Sequence, residues 1–505
     1  MRPLLSILAC FLSVFVLPWT APANAVDAAT LLQEIRSAAV DPAGAVAVQD
    51  VTLPLGPAVL HLERGTVFPA TRVAGRLVEV VFLGQGRLDV EPPDEIEAGQ
   101  LELFTGRTRV AEAFDEAVLA ITDQETMQRL LTPAAGGQTA GGDRAGRAAE
   151  VFARWRESTE RRRLGVAGAL FADGYDDPSY RSFFAGWFDG ADLGLFTYAI
   201  DPTTPEPVSL EQFLPWEARE KDKRRAAKEI RRAQREGRLV GIRVDDFGTW
   251  DTWMSVPLPE GPENLPFEPR LYTVDVTVSE QAPHLTGKAR VDLRAVTGGR
   301  RTVKLRLHRD LVVRRLLDSQ GRELPFLQSG STVTVQLAEA PAAGQETSLS
   351  IEYAGSFLEG GQFDIYALRD PTGWYPSILQ TRAPFDVTLH WPRRLDLVAS
   401  GRRVDGGDSP QGRWERRRLD APAQGFSFEM GRFRTTIFQV GHVQVTVALE
   451  QHSARLSEDR AQVVKEAVQD SLAFFELAFG PYPLDFMTVV NVPRSYSQAL
   501  PGFVT

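Results

Sequence analysis

Any chemistry in this chain of 505 residues would have to come from six histidines, one cysteine and a few glycine-bearing turns. The histidines are His61, His284, His308, His390, His442 and His452. A helical zinc site needs two neutral imidazoles four residues apart, so that both leave one helix face, with a carboxylate close by. No two of the six stand within a helix turn of each other, and none is followed by a glutamate. His284, His308, His390 and His442 fall in a β-rich stretch or its turns and are expected as strand or surface residues. A site joining distant histidines would have to be made by the fold. Cys10 is the only cysteine. It follows Ile7-Leu8-Ala9, a loose likeness to a lipoprotein signal, but it lies too early for one. Without further thiols there is no disulfide framework and no cysteine-ligated metal. No G-x-S-x-G nucleophile turn occurs. Gly84-Gln85-Gly86 follows an apparent strand, but no third glycine completes a dinucleotide fingerprint, so it reads as a hairpin turn.

The elements around these residues begin with a leader. Arg2 precedes the apolar run Leu4 to Leu17, and Ala23-Asn24-Ala25 offers a cleavage site at Ala23 and Ala25. The mature chain is expected to start near Val26, in the periplasm or outside the cell, with no stable membrane insertion after cleavage. An uncleaved anchor is the alternative. A net charge of −10 gives no support to a nucleic-acid partner.

Residues 26–205 read as a mixed α/β region of no assignable role. Glu34 to Ala39 and Arg147 to Arg163 look helical. Ala58-Leu60-Leu62 and Val78-Val80-Phe82 look like strands. Gly136 to Gly146 reads as a Gly- and Ala-rich connector. Residues 206–262 read as a charged helical linker, densest in Pro215 to Arg238. Its acids and bases favour a solvated helix held by i,i+4 pairs. Ile230 is the only large apolar residue from Lys221 to Gly237, which argues against a membrane-surface or nucleic-acid helix.

Residues 263–445 change to strict alternation. Tyr272-Val274-Val276-Val278, Val303-Leu305-Leu307, Val333-Val335-Leu337 and Leu349-Ile351-Tyr353 are the clearest runs. Thr297-Gly298-Gly299, Gln320-Gly321, Ser329-Gly330 and Ala343-Gly344 punctuate them. Many short strands at this spacing predict a sandwich or saddle-like antiparallel β-domain. Residues 446–505 return to helix. Ser457 is placed to cap it, Val464, Val468, Leu472, Phe475 and Phe479 make its apolar stripe, and Gly480-Pro481 ends it. Phe486 to Val492 then reads as a strand.

From Pro269 onward the order of segments resembles the aminopeptidase-N family of zinc metallopeptidases, the gluzincins. The segments are LTGKARVDLRA (Leu285 to Ala295), LHRDLVVRRLLDSQGRELPF (Leu307 to Phe326), WYPSILQTRAPFDVTLHWPRRLDLVASG (Trp374 to Gly401), APAQGFSFEMGRF (Ala421 to Phe433) and FFELAFGPYPLDFMTVV (Phe474 to Val490). The last is the most specific. The resemblance implies a mainly β chain with α/β parts: the mixed N-terminal region, the linker helix, the β-domain and the start of a thermolysin-like α+β catalytic domain. It implies that Pro501, Gly502, Phe503, Val504 and Thr505 belong to the strand bordering the substrate cleft. It also implies that an H-E-x-x-H zinc helix and a further glutamate come later in a full-length homologue. This chain itself has no catalytic or metal-binding residue to assign.

Two departures mark a divergent member. Family aminopeptidases carry a glutamate in a G-x-M-E-N motif of the cleft strand, which holds the substrate's free amino group. Here that position falls on Thr505 or Val504, depending on the alignment, and neither is charged. Trp374-Tyr375-Pro376 is followed by Ser377-Ile378-Leu379 where the family often has D-E-P. The expectation is the N-terminal, non-catalytic part of an exported zinc peptidase acting on peptides or proteins when full length. A binding or scaffold protein on the same fold is the first alternative, and an unrelated β fold the second.

Overall fold

The computed structural model describes residues 27–134, 144–158, 160–174, 183–201, 207–215, 242–244, 248–256, 265–279, 284–360, 365–368, 370–410, 412–451, 460–492 and 497–505. The leader with Ala23 and Ala25, most of the glycine-rich connector, the charged tract 216–241, His452 and Ser457 lie outside these residues.

The first unit opens with helix α1 (Ala28–Ser37). Asp27 caps it by accepting the Thr30 N–H at 3.0 Å. Leu31 and Ile35, four apart, form its buried stripe. The helix thus starts earlier than the Glu34 suggested by composition. Nine antiparallel strands follow: β1 (Val46–Leu55), β2 (Ala58–Pro69), β3 (Glu79–Val90), β4 (Val110–Ile121), β5 (Phe184–Gly190), β6 (Gly194–Ile200), β7 (Val208–Pro215), β8 (Ile242–Val244) and β9 (Gly248–Val256). They form one sheet in the order β1-β2-β3-β4-β5-β6-β7-β9-β8. Helices α2 (Glu95–Thr105), α3 (Gln124–Leu130), α4 (Ala145–Ser158) and α5 (Glu160–Asp173) complete the unit. Each sheet face carries its own buried core. Val81 and Leu83 of β3 join a core with α1, α4 and α5, while Val80 and Phe82 join a core with α2 and α3.

Two expectations are corrected here. The segment 206–262 is not simply a linker, because its two ends supply β7, β8 and β9 to the same sheet. Short apolar runs such as Val208-Ser209-Leu210 and Trp253-Met254 were masked by the charge density between them. Gly84-Gln85-Gly86 is no hairpin turn but the middle of β3, where the register with β2 and β4 shifts. Gly84 faces Gly65, and a Cβ on Gly84 would lie 2.3 Å from the Arg64 carbonyl. These glycines serve close approach of two backbones rather than a reversal.

The second unit contains β10 (Phe267–Val278), β11 (His284–Ala295), β12 (Thr302–Arg306), β13 (Leu311–Leu317), β14 (Phe326–Ser329), β15 (Thr332–Gln336), β16 (Glu346–Ser356), β17 (Leu358–Gly360), β18 (Tyr366–Leu368), β19 (Ala383–Trp391), β20 (Asp396–Ala399), β21 (Arg402–Ser409), β22 (Gly412–Ala423) and β23 (Phe428–Gly431). A seven-stranded sheet runs β13-β16-β11-β10-β19-β22-β21, with a three-stranded sheet β12-β15-β14 and a four-stranded sheet β17-β18-β23-β20. All pairs are antiparallel except β10 with β19. The alternating residues named from sequence are the buried ones, and all three sheets share one core. Each turn named there holds a glycine at positive φ: Gly299, Gly321, Gly330 and Gly344. The chain is mainly β, as expected.

At the centre of this core Trp374 and Tyr375 are fully buried. The Trp374 indole N–H donates to the Phe426 carbonyl at 2.7 Å. The outward face of the large sheet carries a row that nearly alternates in charge: Arg315, Glu352, Lys288, Asp275, Thr388, Arg416 and Asp405 stand opposite one another across the seven strands.

The two units touch through the three-stranded sheet. Leu327 of β14 is buried in the first unit's core. The Lys304 ammonium reaches both carboxylate oxygens of Asp201, at 3.1 and 3.0 Å.

The last unit is β24 (Phe433–Val440), β25 (Val443–Glu450), α6 (Arg460–Phe479), β26 (Phe486–Val490), β27 (Ala499–Leu500) and β28 (Phe503–Val504), in the order β24-β25-β26-β28-β27. β25, β26 and β28 are parallel, with α6 as the crossover between the first two. The boundary drawn at 445/446 falls inside β25. The change of sheet comes at Arg432, between β23 and β24. Alternation continues unbroken through Val443, Val445 and Val447, so periodicity alone does not say which sheet a strand joins.

Candidate substrate-facing strand

The turn after α6 positions the expected cleft strand. Gly480 ends the helix at φ 89°, and Tyr482 is then held at both backbone groups. Its N–H donates to Glu476 at 3.0 Å, and its carbonyl lies 2.8 Å from His442 Nε2. Burial pushes the Tyr482 phenol above its ordinary range, against which a hydrogen bond from the Gly502 backbone works. Asp485 pairs with Arg402 of β21, which holds its carboxyl below the usual range. Phe486 packs against the large β core. The start of β26 is thereby tied to the second unit.

Pro501 and Gly502 form a tight turn between β27 and β28, with Gly502 at φ 70°. A Cβ on Gly502 would stand 2.4 Å from the Phe486 ring. The Gly502 carbonyl accepts from the Thr488 N–H at 2.8 Å. Gln498 and Thr505 exchange backbone hydrogen bonds at 2.8 and 3.1 Å and close the hairpin. Phe503 is buried in a small core with Ile365, Val398, Phe433, Ala448 and Val490.

Val504 and Phe503 pair on both sides, with β26 and with β27, so they are interior to the sheet. Among the described residues the outer strand is β27, Ala499–Leu500, preceded by Gln498. Sequence reading missed Gln498, Ala499 and Leu500, although the Pro501-Gly502 dipeptide was the available turn signal. Between Ser497 and Thr505 the sequence has no acid. The Gln498 Oε1 is buried without a hydrogen-bond donor.

The described histidines do not gather. Among the described residues no three of His, Cys, Asp and Glu stand close enough to hold a metal ion. His308 accepts the Asp310 N–H at 3.2 Å and packs edge-on to Phe357. His390 lies 3.2 Å from Asp275 and over Trp414. The nearest approach to a catalytic constellation is in the first unit. Thr52 Oγ1 lies 3.3 Å from His61 Nδ1, and His61 Nε2 lies 3.3 Å from Asp89, a hydroxyl–imidazole–carboxylate line across β1, β2 and β3. Both Nε and Nη2 of Arg87 already engage Asp89, and on this part of the sheet Thr52 is exposed while His61 and Asp89 are only half-buried. It is a cross-strand contact. The zinc implied by family likeness therefore finds no donor set in the described residues.

Among these residues no helix is long and apolar enough to cross a membrane. No family model matches the chain. No curated protein matches it either. Among solved structures, an M1 zinc metallopeptidase from Deinococcus radiodurans is 19% identical over 47% of this chain and 60% of that one, with a TM-score of 0.41. A mutant two-domain M1 zinc metallopeptidase bound to L-arginine is 18% identical over 48% and 60%, also at 0.41. The chain thus spans about three fifths of the length of those enzymes.

Proposed function

We propose that the chain is the N-terminal, non-catalytic part of an exported zinc-dependent peptidase of the aminopeptidase-N type. One observation supports this reading most. An antiparallel β-domain passes through a single residue, Arg432, into a parallel β-α-β unit whose helix ends on Phe479-Gly480-Pro481-Tyr482-Pro483. That is the order in which the resembling segments occur. On this reading a peptide substrate lies along β27, while zinc and its ligands belong to a longer form of the protein. Export rests on the leader, with Ala23-Asn24-Ala25 as its cleavage site. The test is the coding sequence beyond codon 505 together with zinc analysis of the full-length protein. An in-frame H-E-x-x-H helix and one zinc per chain are expected. A stop codon directly after Thr505, or a full-length protein without zinc, overturns the reading.

A second reading is a binding or scaffold protein on the same fold. The uncharged stretch Ser497 to Thr505 favours it, because an aminopeptidase needs an acid there. A zinc-free full-length protein that still binds extended peptides would select it.

A further inference from the structure

The segment between α6 and β26 is short and stiff. Pro481 and Pro483 flank Tyr482, so both neighbours have a fixed φ and neither offers an N–H. Pro483 also biases Tyr482 toward extended backbone. Each polar group of Tyr482 is engaged, and each by a different element. Its N–H donates to the Glu476 carboxylate of α6 at 3.0 Å. Its carbonyl lies 2.8 Å from Nε2 of His442, in the turn between β24 and β25. Its phenol oxygen accepts the Gly502 N–H in the turn of the β27–β28 hairpin. Gly502 is held on its other sides by the same stretch of chain. Its carbonyl accepts from the Thr488 N–H at 2.8 Å, and the Phe486 ring leaves no room for a Cβ. Asp485 fixes that stretch in turn, through Arg402 of β21 and by accepting the Gln444 N–H at 2.8 Å.

We infer that Tyr482 is the latch through which the end of α6 and the β24–β25 turn set the place of the β27–β28 hairpin. The hairpin is too small to hold itself, being the short strands Ala499–Leu500 and Phe503–Val504 and the turn between them. Its ladder to β26 is Thr488 with Phe503 and Val489 with Val504. A grip on Gly502 therefore decides much of where the hairpin lies. The two prolines leave Tyr482 little backbone freedom, so a shift at Glu476 or His442 moves the phenol, and the phenol carries Gly502 with it. Coupling of this kind is recognised by mutational effects that fail to add. The latch does not depend on the peptidase reading. On that reading the hairpin borders the peptide, and Tyr482 becomes a positioning residue for it.

Amide hydrogen exchange of the purified chain, read by mass spectrometry of its peptides, is the test. Tyr482→Phe keeps the ring and removes the hydroxyl. Exchange in the peptide 498–505 is expected to rise about fivefold, the effect of one hydrogen bond, with exchange in 443–450 of β25 unchanged. His442→Ala alters only the exposed turn and should raise exchange in 498–505 about two- to threefold. Added to Tyr482→Phe, it should raise it no further. Unchanged exchange in 498–505 for Tyr482→Phe overturns the inference. So does an equal rise in 443–450, which would make Tyr482 a general support of the unit. So does a His442→Ala effect that persists undiminished in the double variant. In a longer form that hydrolyses peptides, Tyr482→Phe is expected to raise KM with kcat unchanged. An unchanged KM beside faster exchange overturns the placement of the peptide on the hairpin, not the latch.

Discussion

Tyr353 is a buried phenol whose hydroxyl finds no hydrogen-bond partner among the described residues. Burial pushes its pKa far above the ordinary tyrosine range, with Asp275 adding to the effect. Room for the ring comes from Gly287 on the neighbouring strand, where a Cβ would meet Cζ at 2.3 Å. Tyr353→Phe should therefore leave stability unchanged or raise it by about 1 kcal/mol, measured by urea unfolding. Gly287→Ala should cost about 2 kcal/mol or more, because the ring must move within a packed core. Asp318 supplies a pH-dependent term. Its burial works to raise the carboxyl pKa, but hydrogen bonds from Arg322 and the Gln320 N–H outweigh it and leave the pKa below 3.8. A depressed folded-state pKa stabilises above the unfolded value and is lost as pH falls through the folded one. Asp318→Asn should thus flatten the acid limb of stability below about pH 4, with little change in slope at neutral pH.

At the scale of elements the hairpin β27–β28 depends on Gly502, which combines a positive φ with a ring 2.4 Å from any added Cβ. Gly502→Ala should destabilise by roughly 1–3 kcal/mol and speed amide exchange at Thr488 more than at Val274 in the large sheet. Strands of the second unit were legible because one face of each is buried, so Tyr272, Val274 and Val276 alternate with polar neighbours. Turn glycines were legible where reversal demands φ > 0. Gly84 and Gly86 were misread because glycine also marks close backbone approach, and composition does not separate the two. The inner position of Phe503 depended on β26, a partner chosen by tertiary packing rather than by any local pattern. Strands β7 to β9 were missed because charge in the tract between them outweighed their short apolar runs.

At the scale of the molecule, the first two units meet through Leu327 and the Lys304–Asp201 pair. Leu327→Asp places a charge in the first unit's core and should separate one calorimetric transition into two, whereas Lys304→Ala should shift it by only a few degrees. The near-alternating charge row on the large sheet sets unlike charges opposite each other on neighbouring strands. The parallel pair of the second unit, β10 with β19, sets the order in which that unit can be completed during synthesis. Val274 lies beside Val387, which leaves the ribosome roughly a hundred residues later, and such distant pairing is slow to form. Until then β10 has an open flank beside β11 and β16, a template for pairing with another nascent chain. Chains stalled before Ala383 should therefore be protease-sensitive at β10 and prone to aggregate, and those extended past Trp391 should be protected.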